Sequence, residues 1–447
     1  MKPSIRSLRL SVPFVMALAL GVSGCGVFGG KGGPKTPTVG NRTPILSTIE
    51  SGAKVDPALA GVSVILPPEE TNQEWAQAGG TANKSYGHLA LGATPTRIWT
   101  ASVAGSGKKQ RLAAAPVIGD GKLFVMDTQG TVTAFDAATG ARRWTHSMEV
   151  KGDGSSSVFG GGASYDGGRV YVTSGVGEVA ALDASNGNEV WKVKPAGPLR
   201  GSPTIAFNSI YVMTQSNQIL AINPADGAVM WNESGSLGQA GVFGVAAPAA
   251  GQGTVIAGYS TGELVAYRYE NGRTLWSDAL ARTSISTQVG SLTDVDADPI
   301  IDRGTVFALG QGGRMAAYDL LSGQRIWELN LAGISTPAVA GDWVFTLTDD
   351  SKLLAIARGS GKVRWLTQLT RWKNEEKRKN PVFWTGPVLA GNHLWLGNSE
   401  GELSVGNAAD GTVTKFADLN GPLSLAPVVA NGMLYVLDDS GRISAFR

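Results

Sequence analysis

Residues 130–144, GTVTAFDAATGARRW, decide the fold of this chain because their pattern recurs along most of its length. A glycine opens the segment, a second glycine follows ten places later, and a tryptophan stands fourteen places after the first. The apolar run predicts a β-strand, and the Asp-x-x-Thr-Gly string predicts a tight turn closed by a residue in the left-handed region. The segment therefore predicts a β-hairpin that ends in a large aromatic side chain.

The same register occurs eight times between residue 113 and the C-terminus, with an apolar residue or proline fourteen places before each turn residue. The turn residues are Gly130, Gly177, Asn217, Gly262, Gly313, Ser351, Gly401 and Gly441. The tryptophans are Trp144, Trp191, Trp231, Trp276, Trp327 and Trp365, and Lys415 breaks the series. Three apolar runs and a fourth run ending in tryptophan predict an all-β fold, an eight-bladed β-propeller of four-stranded antiparallel blades.

The two ends of the repeated region predict how the ring closes. The eighth copy stops at Arg447, directly after its third strand, and has no outer strand of its own. Residues 95–100, PTRIWT, have the outer-strand pattern with Trp99 but lack three preceding strands. Since closure removes the unpaired edges of an open array, we expect this N-terminal strand to complete the last blade.

The overall charge makes nucleic acid an unexpected partner. The chain of 447 residues carries 38 basic and 36 acidic side chains, but Lys2, Arg6 and Arg9 lie in an N-terminal leader. Without these three, 35 basic residues face 36 acidic ones, a net charge of −1. No basic field remains that would hold a phosphate backbone.

The N-terminus predicts export and lipid attachment. A basic start and an apolar stretch at residues 10–22 are typical of a signal peptide, here residues 1–24. Residues 22–25, VSGC, resemble a bacterial lipobox, and this resemblance implies cleavage before Cys25, the single cysteine, and acylation of its thiol. Gly26 in place of aspartate favours the outer membrane. We expect residues 25–70, rich in Gly, Pro, Thr and Ser, to be a lipidated flexible tether, and residues 71–447 to be the propeller.

The repeats resemble a known family of propellers. Their tails, Ala-Phe-Asp-x-x-Thr-Gly-x-x-x-Trp, resemble the quinoprotein (PQQ-like) repeat, which indicates the fold but not the function. Residues 286–299, STQVGSLTDVDADP, together with residues 199–201, LRG, and 398–401, NSEG, resemble the BamB family of outer-membrane β-barrel assembly lipoproteins. The resemblance implies a non-enzymatic scaffold without cofactors, a monomer within a hetero-oligomeric complex, that faces the periplasm. Its implied partner is the POTRA region of BamA, and contact with unfolded outer-membrane proteins stays open.

The resemblance also implies partner-binding residues, namely Leu199 and Arg200 in one string and Asp294 and Asp296 in the other. In an extended segment an Asp-x-Asp pair points both carboxylates to the same side, which suits a Lys or Arg of a partner. Arg beside Leu is a frequent combination in protein interfaces. Loop capping or solvation of the two aspartates is the alternative, and two carboxylates without a third make a poor calcium cage.

Other residues suggest chemistry only weakly. His88, His146 and His393 are scattered in different elements, and we expect them at the surface or at blade edges. Two other functions remain as alternatives: a periplasmic sugar- or peptide-binding propeller, and a PQQ-dependent dehydrogenase. The charged run at residues 371–379, RWKNEEKRK, interrupts the register between the sixth and seventh copies. Its mixed charges predict a solvated loop, and contact with lipid headgroups, peptidoglycan or a partner is the alternative.

Overall fold

The computed structural model describes residues 53–108, 110–148, 159–236, 246–280 and 294–447. Cys25 and the predicted signal peptide lie outside these ranges. Among the described residues, no helix has the length and apolar character needed to cross a membrane.

Eight four-stranded antiparallel sheets make up the fold, which confirms the predicted eight-bladed propeller. Blades 1 to 4 consist of β2 (Val117–Gly119), β3 (Lys122–Met126), β4 (Thr131–Asp136) and β5 (Arg142–Ser147); β6 (Gly161–Asp166), β7 (Arg169–Ser174), β8 (Val179–Asp183) and β9 (Glu189–Val193); β10 (Thr204–Ala206), β11 (Ser209–Met213), β12 (Gln218–Ile222) and β13 (Val229–Ser234); and β14 (Ala249–Gly251), β15 (Thr254–Gly258), β16 (Glu263–Arg268) and β17 (Thr274–Ala279).

Blades 5 to 8 follow the same order. They consist of β18 (Ile300–Asp302), β19 (Thr305–Gly310), β20 (Arg314–Asp319) and β21 (Arg325–Leu329); β22 (Ala338–Ala340), β23 (Trp343–Leu347), β24 (Lys352–Ala357) and β25 (Val363–Gln368); β28 (Trp384–Ala390), β29 (His393–Asn398), β30 (Glu402–Asn407) and β31 (Val413–Asp418); and β32 (Val428–Ala430), β33 (Met433–Leu437), β34 (Arg442–Phe446) and β1 (Arg97–Ser102). A two-stranded hairpin of β26 (Trp372–Asn374) and β27 (Lys379–Pro381) lies between blades 6 and 7, and a short 3₁₀ turn spans Pro57–Leu59.

The ring closes as the sequence predicts, because β1 pairs antiparallel with β34 and brings Trp99 opposite Ala445. The backbones of Thr96 and Arg447 exchange two further hydrogen bonds, of 2.7 and 2.9 Å between nitrogen and oxygen. The start of the propeller is thus the outer strand of its last blade.

The repeated tryptophans join each blade to the next. Trp276 donates its indole N–H to the carbonyl oxygen of Leu320, 2.8 Å away, and its ring lies on the turn glycine Gly323. A side chain on Gly323 would approach the ring to 2.5 Å, and the φ angle of +71° also favours glycine. The other tryptophans of this kind donate to the next blade at 2.6–3.1 Å: Trp99, Trp144, Trp191, Trp231, Trp327 and Trp365.

Lys415 departs from the tryptophan series for a reason that the ring explains. The blade after it, blade 8, has no turn between its third and fourth strands, since these come from opposite ends of the chain. A tryptophan at position 415 would find no turn glycine to contact. Instead Phe416 packs between Trp395 and Phe446, with ring centroids 5.0 and 5.8 Å apart.

Each blade has two kinds of connection, at opposite ends of the ring. We call "upper end" the end where the chain passes from one blade to the next and where the second and third strands of a blade are joined. The "lower end" carries the turns between first and second and between third and fourth strands. This alternation follows from the antiparallel strand order.

Residues 72–91 lie across the lower end and pair with the innermost strands of most blades, an arrangement that the repeat pattern did not indicate. Trp75 exchanges backbone hydrogen bonds with Ile118 of blade 1, and Ala82 accepts one from Ala250 of blade 4. His88, predicted at the surface or at a blade edge, is buried here at 3% exposure. Its Nε2 accepts the backbone N–H of Asn392 at 3.0 Å. We call residues 72–91 the lower-end segment.

The last part of the segment predicted to be a flexible tether contacts the propeller. Of residues 25–70, those from 53 onward are described, and they contact blade 6. Asp56 donates its backbone N–H to the carbonyl of Val363 at 2.9 Å, and its carboxylate lies 3.0 Å from Nζ of Lys362. The side chain of Arg364 donates to the carbonyl of Val62. A tether interpretation therefore remains a prediction only for residues before 53.

Candidate partner-binding site

The first predicted site string is held in place by an extension of blade 3. Arg200 donates its backbone N–H to the carbonyl of Met213 at 2.8 Å, which prolongs the ladder beyond β11 at the upper end. The carbonyl of Arg200 accepts the N–H of Gly161, and a side chain on the neighbouring Gly160 would come within 2.5 Å of the carbonyl oxygen of Leu199. The glycine-rich start of blade 2 thus allows the two backbones to approach closely.

The second string enters blade 5 as an extended segment with two different sides. Val295 and Ala297 are completely buried in the cores of neighbouring blades. Because side chains alternate along an extended segment, Asp294 and Asp296 point together to the other side. The sequence prediction that the two carboxylates share one side agrees with this geometry.

The two strings meet in one buried ion network. Nη2 of Arg200 lies 2.7 Å from Oδ1 of Asp294 and 3.2 Å from Oδ1 of Asp296, 94 and 96 positions further along the chain. The side chains of Arg200 and Asp294 are 2% and 1% exposed, and that of Asp296 is 11% exposed. We call these three residues the upper-end network; it links the connections that lead into blades 3 and 5.

This placement changes the interpretation of the four predicted contact residues. Leu199 has no exposed surface and belongs to the core between blades 2 and 3. The charge that faces the two aspartates is the chain's own Arg200, whereas the sequence suggested a charge on a partner. Of the four, Asp296 has the largest exposed fraction, 11% of its side chain, and direct binding by the set stays a prediction.

The network carries more negative than positive charge. Burial and the carboxylate of Asp294 raise the pKa of Asp296 to about 7, and Arg200 only partly opposes them. Burial also raises the pKa of Asp294. A further carboxylate, Asp349 on the β23–β24 turn of blade 6, acts on Asp296, and burial raises its own pKa to about 6. Sequence reasoning missed Asp349 because it lies in an ordinary turn.

Replacing Asp296 with asparagine should stabilise the fold more at pH 8 than at pH 5. The folded-state pKa of about 7 lies above the usual value of about 3.9, so the contribution of Asp296 is present at low pH and is lost as pH rises through 7. We expect the gain in unfolding free energy from Asp296→Asn to be about 2 kcal/mol larger at pH 8. Urea unfolding at both pH values measures it, and equal gains would contradict the assignment.

A buried lysine near the lower end was also missed from the sequence. Lys84 in the lower-end segment is 1% exposed and donates from Nζ to the carbonyl of Ala78 at 2.9 Å and to Oγ1 of Thr204 at 3.1 Å. Burial lowers its pKa to about 8, although the carboxylate of Asp298 acts in the opposite direction. Nothing around Lys84 in the sequence indicates burial, since its environment comes from blades 3 and 5.

The part of the chain that the structure describes contains no cluster of possible metal ligands. Within it, no three His, Cys, Asp or Glu side chains come together in a way that could hold a metal ion. The predicted lipidation site, Cys25, is outside these residues.

Comparisons of structure place the fold among known propellers. BamB from Moraxella catarrhalis superposes with a TM-score of 0.67 at 19% identity, over 79% of this chain and 99% of that one. A quinohemoprotein alcohol dehydrogenase from Comamonas testosteroni superposes with a TM-score of 0.65 at 16% identity, over 84% and 80%. At such identities the likeness concerns the fold alone, and it is shared by an assembly factor and an enzyme.

Comparisons of sequence show the family. The family model for "Outer membrane protein assembly factor BamB" matches residues 87–154 and 128–367. The assembly factor BamB of Salmonella typhimurium is 30% identical over 358 residues, which cover 79% of this chain and 88% of that relative. The chain belongs to the BamB family of outer membrane protein assembly factors.

Proposed function

We propose that this chain is a non-enzymatic scaffold lipoprotein, anchored through Cys25 in the outer membrane and facing the periplasm. Its upper end binds the POTRA domains of BamA and assists the assembly and insertion of outer-membrane β-barrel proteins. Membership in the BamB family supports the role in assembly. The lipobox-like string before Cys25 supports the anchor.

The upper-end network is the observation that carries the choice of binding surface. Both strings that resemble the family's contact motifs lie at the upper end, and Arg200 connects them to each other. A buried arginine shared by two carboxylates fixes the relative positions of the connections into blades 3 and 5, because moving either would leave a charge unpaired. We infer that the network acts mainly as a positioning element, which holds the neighbouring surface in a shape that fits a partner.

A scaffold role is also supported by the partners of the buried charged groups, which are other groups of the chain itself. The arginine and aspartates of the upper-end network are engaged with each other, and the amine of Lys84 is engaged with Ala78 and Thr204. The lower-end segment occupies the end of the ring opposite to the network. A ring whose described polar groups are engaged in this way suits a protein that holds other proteins in position.

Co-purification with BamA tests this proposal. The triple variant Arg200→Met/Asp294→Asn/Asp296→Asn removes every charge of the network while keeping side chains of similar size. We expect it to remain folded and to retain BamA at least about tenfold less well than wild type, since interface residues whose loss is costly typically contribute more than 1 kcal/mol each. Asp136→Asn/Asp183→Asn is the control, because these aspartates cap turns at the lower end.

The outcomes separate the site from the function. A folded triple variant that retains BamA as well as wild type would show that the network does not shape the binding surface. A wild-type chain that retains no BamA would overturn the proposed function itself.

A further inference from the structure

The charged run at residues 371–379 forms an ordered hairpin at the upper end, in place of the predicted loop. Strands β26 and β27 pair through Trp372 with Pro381 and through Asn374 with Lys379. The backbone N–H of Val382 donates to the carbonyl of Arg371 at 2.9 Å and closes the base. We call residues 371–383 the basic hairpin; it connects blade 6 to blade 7.

One of the two acidic side chains of the basic hairpin, Glu375, is used internally. Oε1 of Glu375 accepts the backbone N–H groups of Arg371 and Trp372 at 3.0 and 3.2 Å. Lys373 pairs with Glu400 of blade 7. The five basic and two acidic side chains of the hairpin leave a net charge of +3.

The tip of the basic hairpin is a cluster of available cations. Lys377, Arg378 and Lys379 are consecutive and exposed. Within the described ranges, none of the three has a carboxylate within ion-pair distance. Because the chain without its leader has a net charge of only −1, this positive surface is local and not part of a general basic field.

An exposed aromatic side chain lies at the base of the same hairpin. Phe383 is 66% exposed, although its neighbour Val382 is 4% exposed. Its backbone is fixed by blade 7, since Ser399 donates its N–H to the carbonyl of Phe383 at 2.8 Å. Trp384 donates its indole N–H to Thr370 at 2.8 Å and anchors the base of the hairpin. The apolar ring of Phe383 is therefore exposed to solvent, although its backbone is anchored by hydrogen bonds.

We propose that the basic hairpin binds the anionic headgroups of a phospholipid membrane surface. Basic side chains and an exposed aromatic ring are the combination that favours a membrane interface: the cations attract anionic lipids, and the ring enters the boundary between headgroups and acyl chains. Each Lys or Arg near such a surface improves binding by about fivefold. The proposal rests on the proposed function only for the presence of a membrane near the protein.

The position of the predicted anchor is compatible with this contact. Cys25 lies 28 positions before residue 53, where the described chain begins beside blade 6. Such a length of chain spans at most ~100 Å when fully extended. Asp56 pairs with Val363 at the lower end of β25, and the basic hairpin follows the upper end of the same strand. Lipid at Cys25 and the hairpin can therefore contact the same membrane surface.

Vesicle binding of the unlipidated chain from residue 26 tests the proposal without the anchor. We expect binding to phosphatidylcholine vesicles that contain phosphatidylglycerol, little binding to phosphatidylcholine alone, and a loss of binding at high salt. Lys377→Gln/Arg378→Gln/Lys379→Gln should weaken binding at least about tenfold, and Phe383→Ser several-fold. Arg97→Gln/Arg142→Gln/Arg273→Gln, which removes three exposed cations at or directly before the starts of outer strands, should bind like wild type.

Equal binding of the two triple variants, or equal binding to neutral and anionic vesicles, would overturn the proposal. So would binding to purified peptidoglycan or acidic peptides without binding to vesicles. Co-purification with BamA is measured on the same variants. If vesicle binding holds while BamA is not retained, the proposed function fails and the lipid contact stands; the reverse result rejects only the lipid contact.

Discussion

Arg200→Met is expected to lower the free energy of unfolding by about 3–5 kcal/mol, although methionine fills a similar volume. The guanidinium lies 2.7 Å from Asp294 and 3.2 Å from Asp296, in surroundings that leave Arg200 and Asp294 almost without exposed surface. Removing it leaves two carboxylates buried next to each other without a counter-charge. Urea unfolding at pH 8, where the loss should be largest, measures the effect.

The same substitution should cost less at low pH. Burial already raises the pKa of Asp294 and the pKa of Asp296. Loss of Arg200 removes the charge that lowers both pKa values. The aspartates then take up protons more readily in the folded protein, so acid relieves the repulsion. Adding Asp294→Asn and Asp296→Asn to Arg200→Met should restore the unfolding free energy to within about 1 kcal/mol of wild type, since neutral amides carry no unpaired charge.

A cost below about 1 kcal/mol for Arg200→Met at pH 8 would contradict the buried network. The result also matters for the interpretation of binding experiments. A single substitution at Arg200 would reduce BamA binding simply by unfolding part of the upper end. Only the neutral triple variant separates the shape of the surface from the stability of the ring.

The sequence predicted the elements that repeat and missed those that do not. Blades, turn glycines and ring closure were predictable because each has local residues in a fixed register, and because the orphan strand around Trp99 carries the same signature as the others. The exception at Lys415 was visible as a break but not explicable, since its cause lies in the missing turn of blade 8. Periodicity thus specifies the ring well.

Contacts that occur once in the ring leave no such pattern. The lower-end segment pairs through backbone groups, for example Ala82 with Ala250, and backbone pairing constrains side chains only weakly. The pairing of Arg200 with Asp294 joins positions 94 apart, which one sequence cannot reveal. Both strings were found through their resemblance to a family, but their mutual contact, and the burial that follows from it, required the structure.

Trp99→Ala is expected to lower the free energy of unfolding by about 3 kcal/mol, near the lower limit for large aromatic residues because the ring is only partly buried. The indole N–H donates to the carbonyl of Ala137 at 3.1 Å, and the ring lies on Gly140 and 5.9 Å from the ring of Tyr435. Trp99 thereby joins blade 8 to blade 1 from the strand that closes the circle. Hydrogen exchange should show β1 losing protection before the other strands, because β1 is held in the last blade by its pairing with β34 while β34 also pairs with β33.

Lys415→Trp puts a tryptophan at the interface between blades 7 and 8, which lacks this contact. The register there differs, because Lys415 pairs with Ser404 and not with Val405, the counterpart of the alanines that pair with the other tryptophans. The substitution restores the repeat signature, but blade 8 offers no turn glycine or turn carbonyl to receive the indole. We therefore expect a change in unfolding free energy within about 0.5 kcal/mol, typical of a surface substitution. A stabilisation of Lys415→Trp comparable to the loss in Trp99→Ala would mean that the tryptophans act through burial of apolar surface alone. A near-neutral result beside a large loss for Trp99→Ala would agree with a requirement for the turn of the next blade and for the register that places the ring on it.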